Sequence, residues 1–242
     1  MIESLIFLFL ITLGGVLITV SVHLIPVGGA PAAMAQATGV GTGTTQLAAG
    51  AGLTGLLVAV SVYALSGGAL LSIVLGGIGS AIMIAIVMLV SNIGYIYGVG
   101  IPPASGKAVR DPITKDRQDI YVSKGTEGHG VPTAAFVSGI AGGIIGGVGG
   151  SLIYSLIYDG LLNFQTGLYL TPFAATTISI ILSISIFFIN AVIASYNIGG
   201  TIEGFYDPKF KKLPKAVLVS GIMTCVCGLM ALYIIICLGG AA

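Results

Sequence analysis

Charge is the first thing this chain lacks. From Ser4 to Gly106 it contains no Asp, Glu, Lys or Arg. A surface built from such a stretch would offer water only apolar and uncharged groups, which excludes a soluble domain. Charged residues make up 7% of the sequence, against about 25% in an average globular protein. Cysteine is scarce as well: Cys225, Cys227 and Cys237 share one apolar stretch. On a helix the first two point about 200° apart, so they cannot converge on one metal. They imply no disulfide framework and read as small apolar filler. The sequence shows no Ser-His-Asp grouping, carboxylate pair, metal cluster or phosphate loop. Gly39, Gly41 and Gly43 superficially suggest a nucleotide loop, but no βαβ setting and no Gly-Lys-Ser/Thr ending accompanies them. The chain offers no catalytic residue, no residue set for a cofactor or a firm metal site, and nothing for nucleic acid.

What is present is apolar length. A helix needs about 20 residues to cross a bilayer, and the runs between breakers fit helices at about 4–24, 47–65, 69–90, 131–157, 171–195 and 216–238. The expected fold is an all-α integral membrane protein, a single multi-span domain over residues 1–242 with about six transmembrane helices in a Gly-rich bundle. Runs such as Ile78 to Val90 are continuously apolar and lack the alternation of a membrane barrel. Only Ser66, Gly67 and Gly68 separate the second and third runs, which predicts a tight antiparallel hairpin. The uncharged segment 25–46 reads as re-entrant or surface-lying, since irregular backbone at membrane depth needs protein or a watery cavity around it.

All nine Lys and Arg residues fall in two loops, at Lys107 to Lys124 and at Lys209 to Lys215. Two spans separate those loops, so they share a side. The positive-inside rule makes that side cytoplasmic and puts both termini outside, in a multi-pass protein of the cell membrane. Glu3 stands where a signal peptide would carry basic residues, so the first run is expected to be retained.

Glycine is abundant, with 38 residues. Gly139, Gly143 and Gly147 repeat at four-residue spacing, and Gly142, Gly146 and Gly150 form a parallel row. Such rows let helix backbones approach closely in lipid, and a glycine-lined pore is the functional alternative. Ser91-Asn92-Ile93-Gly94 echoes Tyr196-Asn197-Ile198-Gly199. Chance accounts for so short a match as readily as duplication does. If duplicated, Asn92 and Asn197 would pair across a pseudo-symmetric centre, their amide oxygens available to a hard cation or to helix capping. Thr176, Thr177, Ser183 and Asn190 give the fifth helix a polar content that either lines part of an ion path or bonds neighbouring helices. Asp159 and His23 read as interface residues, and a transport site should lie deeper than Asp159.

The stretch Gly28-Gly29-Ala30-Pro31-Ala32-Ala33-Met34-Ala35-Gln36-Ala37, continuing through Gly39, Gly41 and Gly43 to Leu47, closely resembles the D subunit of the tetrahydromethanopterin S-methyltransferase of methanogenic archaea. Asp111-Pro112-Ile113-Thr114-Lys115-Asp116 and Tyr206-Asp207-Pro208-Lys209-Phe210 agree with that family. The resemblance implies a subunit of a complex that moves a methyl group from methyl-tetrahydromethanopterin to coenzyme M and drives sodium out of the cell. It also implies membrane subunits C and E and a corrinoid-binding subunit as partners. The corrinoid (cobamide) is then bound elsewhere, Na+ is the transported ion, and this chain is part of a translocase without catalysing the transfer itself. A stand-alone secondary transporter or channel and a purely structural membrane subunit are the alternatives.

Overall fold

The computed structural model of the chain describes residues 2–26, 42–66, 68–122, 128–163 and 170–239. Six α-helices lie among them: α1 (Ile2–Leu24), α2 (Thr42–Ser66), α3 (Ala69–Ile93), α4 (Thr133–Asn163), α5 (Pro172–Ile198) and α6 (Leu213–Gly239). Five helical segments are long and apolar enough to cross a membrane, and α2 adds a shorter apolar stretch, Ala51–Ser66. Segment 25–46, expected to be re-entrant or surface-lying, falls largely on 27–41, outside the described residues.

The helix ends follow local chemistry. At α5 the Thr171 hydroxyl accepts from the Ala174 amide, Pro172 opens the helix, and Gly199 in the left-handed region closes it. Beyond α3 the chain passes into a π-helical turn, Gly94–Val99, which Gly100 ends at φ 77°. Two helices outrun the expectation from hydropathy. α2 starts at Thr42 because Thr and Gly there weaken a helix without breaking it. α4 continues past 157 to Asn163, with Leu161 buried and the carboxylate of Asp159 accepting from Tyr63 of α2.

α4 is the central helix, packed on α1, α2, α3 and α5, with α6 against α1 and α5. Its two glycine rows face different partners. A Cβ at Gly139 would stand 2.5 Å from Met88 Sδ, one at Gly143 2.7 Å from Ile84, and one at Gly147 2.6 Å from both Ser80 and the Gly76 carbonyl, all on α3. At Gly142 it would meet the Ser21 carbonyl and at Gly146 the Ser21 hydroxyl, both on α1, whereas Gly150 faces Phe187 of α5. The outward face is apolar: α3 exposes Leu70, Val74, Ile78, Ile82 and Ile86 at helical spacing, a surface suited to lipid or to sister helices.

The two basic loops are built around Asp-Pro pairs. Asp111 takes the amides of Ile113 and Thr114 on Oδ1 and that of Ala134, in the first turn of α4, on Oδ2. Asp207 takes Lys209 N on one oxygen and Glu203 N on the other, opening the 3₁₀ turn Pro208–Lys212 that leads into α6. A two-residue antiparallel pairing, β1 (Ala104–Ser105) with β2 (Gly128–His129), closes the first loop.

Candidate functional site

The bundle interior holds two groups of buried oxygens. The first centres on Asn190 of α5, which is fully buried. Its Nδ2 donates to Ile186 O at 2.9 Å, as a helix-bound side chain would. Its Oδ1 accepts from Thr224 Oγ1 at 3.0 Å and from Ser220 Oγ, both on α6. Ser220 also reaches Gly15 O of α1 at 3.1 Å, and Thr19 of α1 reaches Asn190 O at 3.4 Å. Gly15 makes room for this, because a Cβ there would collide with the Thr224 side chain. Asn190, Ser220, Thr224, Thr19 and Gly15 thus gather amide, hydroxyl and carbonyl oxygens where α1, α5 and α6 meet.

The second group lies where α2, α3 and α4 cross. Ser80 of α3 and Ser151 and Ser155 of α4 are buried, and so is Ser183 of α5. Among the described residues none of these four hydroxyls has a hydrogen-bond partner. Ser72, two turns from Ser80, instead donates to Ala59 O of α2 at 2.6 Å.

The other residues singled out from the sequence go elsewhere. Asn92 clamps Val131, donating to its carbonyl at 2.9 Å and accepting its amide at 2.7 Å, so its oxygen is engaged in joining α3 to the start of α4. Asn197 donates to Lys212 O at 3.0 Å and meets His23 Nε2 at 3.1 Å. The two asparagines therefore perform different local tasks. Thr177 is exposed and donates back to Phe173 O, while Thr176 is half-buried. His23, in the last turn of α1, is fully buried within the bundle. Its Nδ1 faces Thr19 O at 2.8 Å, which only accepts, so Nδ1 carries the proton and Nε2 accepts from Asn197. Asp159 is half-buried and accepts from Tyr63 OH, within a cluster of Tyr63, Tyr154 and Tyr158.

Outside the spans, Glu203 is buried between the two basic loops. It accepts from Tyr206 OH at 2.7 Å and from Ser105 Oγ. Burial pushes its carboxyl above the usual range, against the pull of those two hydroxyls. Burial, with Glu203 beside it, likewise raises the Tyr206 phenol. On the same side, a cavity of 610 Å³ opens between the first loop and α4, lined by Asn92, Asp111, Arg117, Gln118, Tyr121 and Phe136 among others.

Ser220, Thr224, Thr19, Ser80 and Ser151 do not stand out in the sequence. Single hydroxyls in apolar helices carry no spacing signal, and Thr224 lies 34 residues from the amide it bonds. Only the four-residue step from Gly147 to Ser151 and Ser155 hints at a shared face.

Five long apolar helices, an apolar outer surface and a few buried polar groups mark the class of a multi-pass helical membrane protein. Residues 4–224 match the family described as the D subunit of tetrahydromethanopterin S-methyltransferase. The chain is 54% identical to that subunit of Methanosarcina barkeri over 247 residues, covering 98% of this chain and 97% of the relative. The subunit of Methanopyrus kandleri is 52% identical, with 94% and 95% covered. That of Methanocaldococcus jannaschii is 48% identical, with 93% and 94% covered. The chain belongs to the family of tetrahydromethanopterin S-methyltransferase D subunits.

Proposed function

We propose that this chain is an integral membrane subunit of a sodium-translocating methyl-tetrahydromethanopterin:coenzyme M methyltransferase, and that it lends part of the ion path rather than the methyl-transfer chemistry. The observation that carries this is the Asn190 group. Asn190 Oδ1, Ser220 Oγ, Thr224 Oγ1 and Gly15 O converge inside an apolar bundle, and a hard cation is held by several such oxygens. In the resting arrangement those groups satisfy one another, so a passing sodium ion exchanges one set of oxygen contacts for another. Neutral ligands favour a weakly held, releasable ion over a tightly bound one.

The corrinoid belongs on another subunit. Of the two histidines, His23 has both ring nitrogens engaged, and His129 Nε2 is held by Pro102 O at 2.7 Å. Membrane subunits C and E and the corrinoid-binding subunit are the partners, and a sister chain supplies any coupling carboxylate. The basic loops face the cytoplasm and both termini lie outside, with α2 as a sixth span; the nine-to-none Lys and Arg bias supports this orientation.

The full bonding of Asn190 also favours a second reading, in which the group is polar glue between α1, α5 and α6. Reconstitution tests the functional class. The purified chain in proteoliposomes should move no sodium, whereas the complex containing it should do so when methyl transfer is driven. Sodium transport by the isolated chain would make it a stand-alone transporter.

A further inference from the structure

We propose that the crossing of α2, α3 and α4 around Gly76 is a binding site for a small monovalent cation, reached from the Asp159 end of the bundle. The inference rests on the sodium-linked reading above and locates an ion stop within it. Three helices approach there on glycine. A Cβ on Gly76 would collide with Ser151 Oγ and stand 3.0 Å from Gly55 O, so a hydroxyl of α4 and a carbonyl of α2 border the same point. Beside it, Gly76 O lies 2.6 Å from the Cβ position of both Gly55 and Gly147, with Ser80 Cβ 3.0 and 2.6 Å from the same two positions.

The crossing therefore puts the Ser151 hydroxyl and the Gly55 carbonyl at one point, and the Gly76 carbonyl and the Cβ that carries the Ser80 hydroxyl at a second beside it. Each carbonyl keeps a second lone pair beyond its helical bond. Among the described residues neither hydroxyl has a hydrogen-bond partner, although both serines are at most 1% exposed. A purely packing role does not account for this. Alanine would fit as closely without burying an unpaired polar group, which is costly, and α4 uses bare glycine at Gly143 and Gly147 for close approach. An all-oxygen set without a carboxylate suits a monovalent hard cation better than a divalent one, which draws on acidic ligands.

The approach runs along α4. Gly147, Ser151, Ser155 and Asp159 follow one another at four-residue steps along α4, each beside the next. Ser155 is buried and, among the described residues, unpartnered like Ser151, and Asp159, bonded to Tyr63 OH, puts a carboxylate at the far end. A cation drawn to that end meets Ser155 and then the Gly76 crossing.

The test uses the purified complete complex. Ser80→Ala combined with Ser151→Ala removes only unpaired hydroxyls, so assembly should survive. The sodium concentration for half-maximal methyl transfer should rise about tenfold or more, as loss of groups around a bound ion commonly does. Unchanged sodium dependence in the assembled double variant overturns the site while leaving the sodium-linked reading intact. Absence of sodium dependence in the wild-type complex overturns that reading, and the site with it. Should the double variant fail to assemble, Ser155→Cys in a background with Cys225, Cys227 and Cys237 changed to Ala decides. A water-soluble methanethiosulfonate should label it, and sodium, but not choline, should slow the labelling. Labelling without sodium protection would show a water-filled seam only, and no labelling a dry one; either result overturns the proposal.

Discussion

Glu203 shows how much one residue in the loops is asked to do. It ties the loop before α4 to the loop before α6 through Ser105 and Tyr206, and it is buried while doing so. Its folded-state pKa is raised, so between the ordinary value of 4.5 and that raised value the folded chain binds the proton more tightly than the unfolded chain does. Stability through this group is therefore greatest at low pH and declines as pH rises through that window. Glu203→Gln keeps an acceptor for both hydroxyls and deletes the titration. The variant is expected to melt at or above the wild-type temperature near pH 7, with the difference vanishing towards pH 4.5; thermal melts of the complex across pH check this. Asn92 makes a contrasting case. Asn92→Ala removes both bonds to Val131 and leaves its amide and carbonyl unpaired, so a loss of about 1–3 kcal/mol is expected in the same melts. Asn92, Asn190 and Asn197 are legible in the sequence because an amide in an apolar run stands out. What each amide holds is not, since Val131, Ser220 and Lys212 come from distant segments.

At the scale of elements, α3 and α4 interlock by size. Met88 lies on Gly139, Ile84 on Gly143 and Ser80 on Gly147, and then the pattern inverts as Gly76 lies on Ser151. The four-residue glycine rows of α4 are legible in the sequence because spacing alone defines them. Which helix each row meets is not, because α1 and α3 are similarly apolar and only the crossing geometry assigns Gly142 to one and Gly143 to the other. The reversal at Gly76 is equally hidden, since it needs the register of both helices at once. Backbone cannot yield where a side chain can. Gly147→Ala would press a methyl against Gly76 O and Gly77 Cα, and a cost of about 1–3 kcal/mol is expected. Gly143→Leu should cost more and prevent assembly. Gly221, with nothing within 4 Å of its Cβ position, should accept Ala within this chain without loss. Thermal stability and yield of the intact complex after detergent extraction separate these outcomes.

For the whole molecule, the paired basic loops and the buried Asn190 group set a direction: loops on one side, helices threaded between, and oxygens gathered in the interior. If the basic loops are cytoplasmic, Lys115→Cys and Lys211→Cys should resist a membrane-impermeant thiol reagent applied outside, while Asn163→Cys at the end of α4 should react; external labelling of both basic loops would reverse the orientation. Length and hydropathy make the membrane class and most helix positions legible, because a span must be apolar over its length whatever it packs against. The buried polar groups are not legible, since hydroxyls from α1, α5 and α6 become neighbours only through packing. The central claim is that this interior carries sodium, and the most direct measurement is the sodium dependence of methyl transfer by the purified complex carrying Asn190→Ala. With assembly intact, the sodium concentration for half-maximal rate should rise about tenfold or more; an assembled variant whose sodium dependence matches the wild type would contradict the account and leave the Asn190 group as polar glue between α1, α5 and α6.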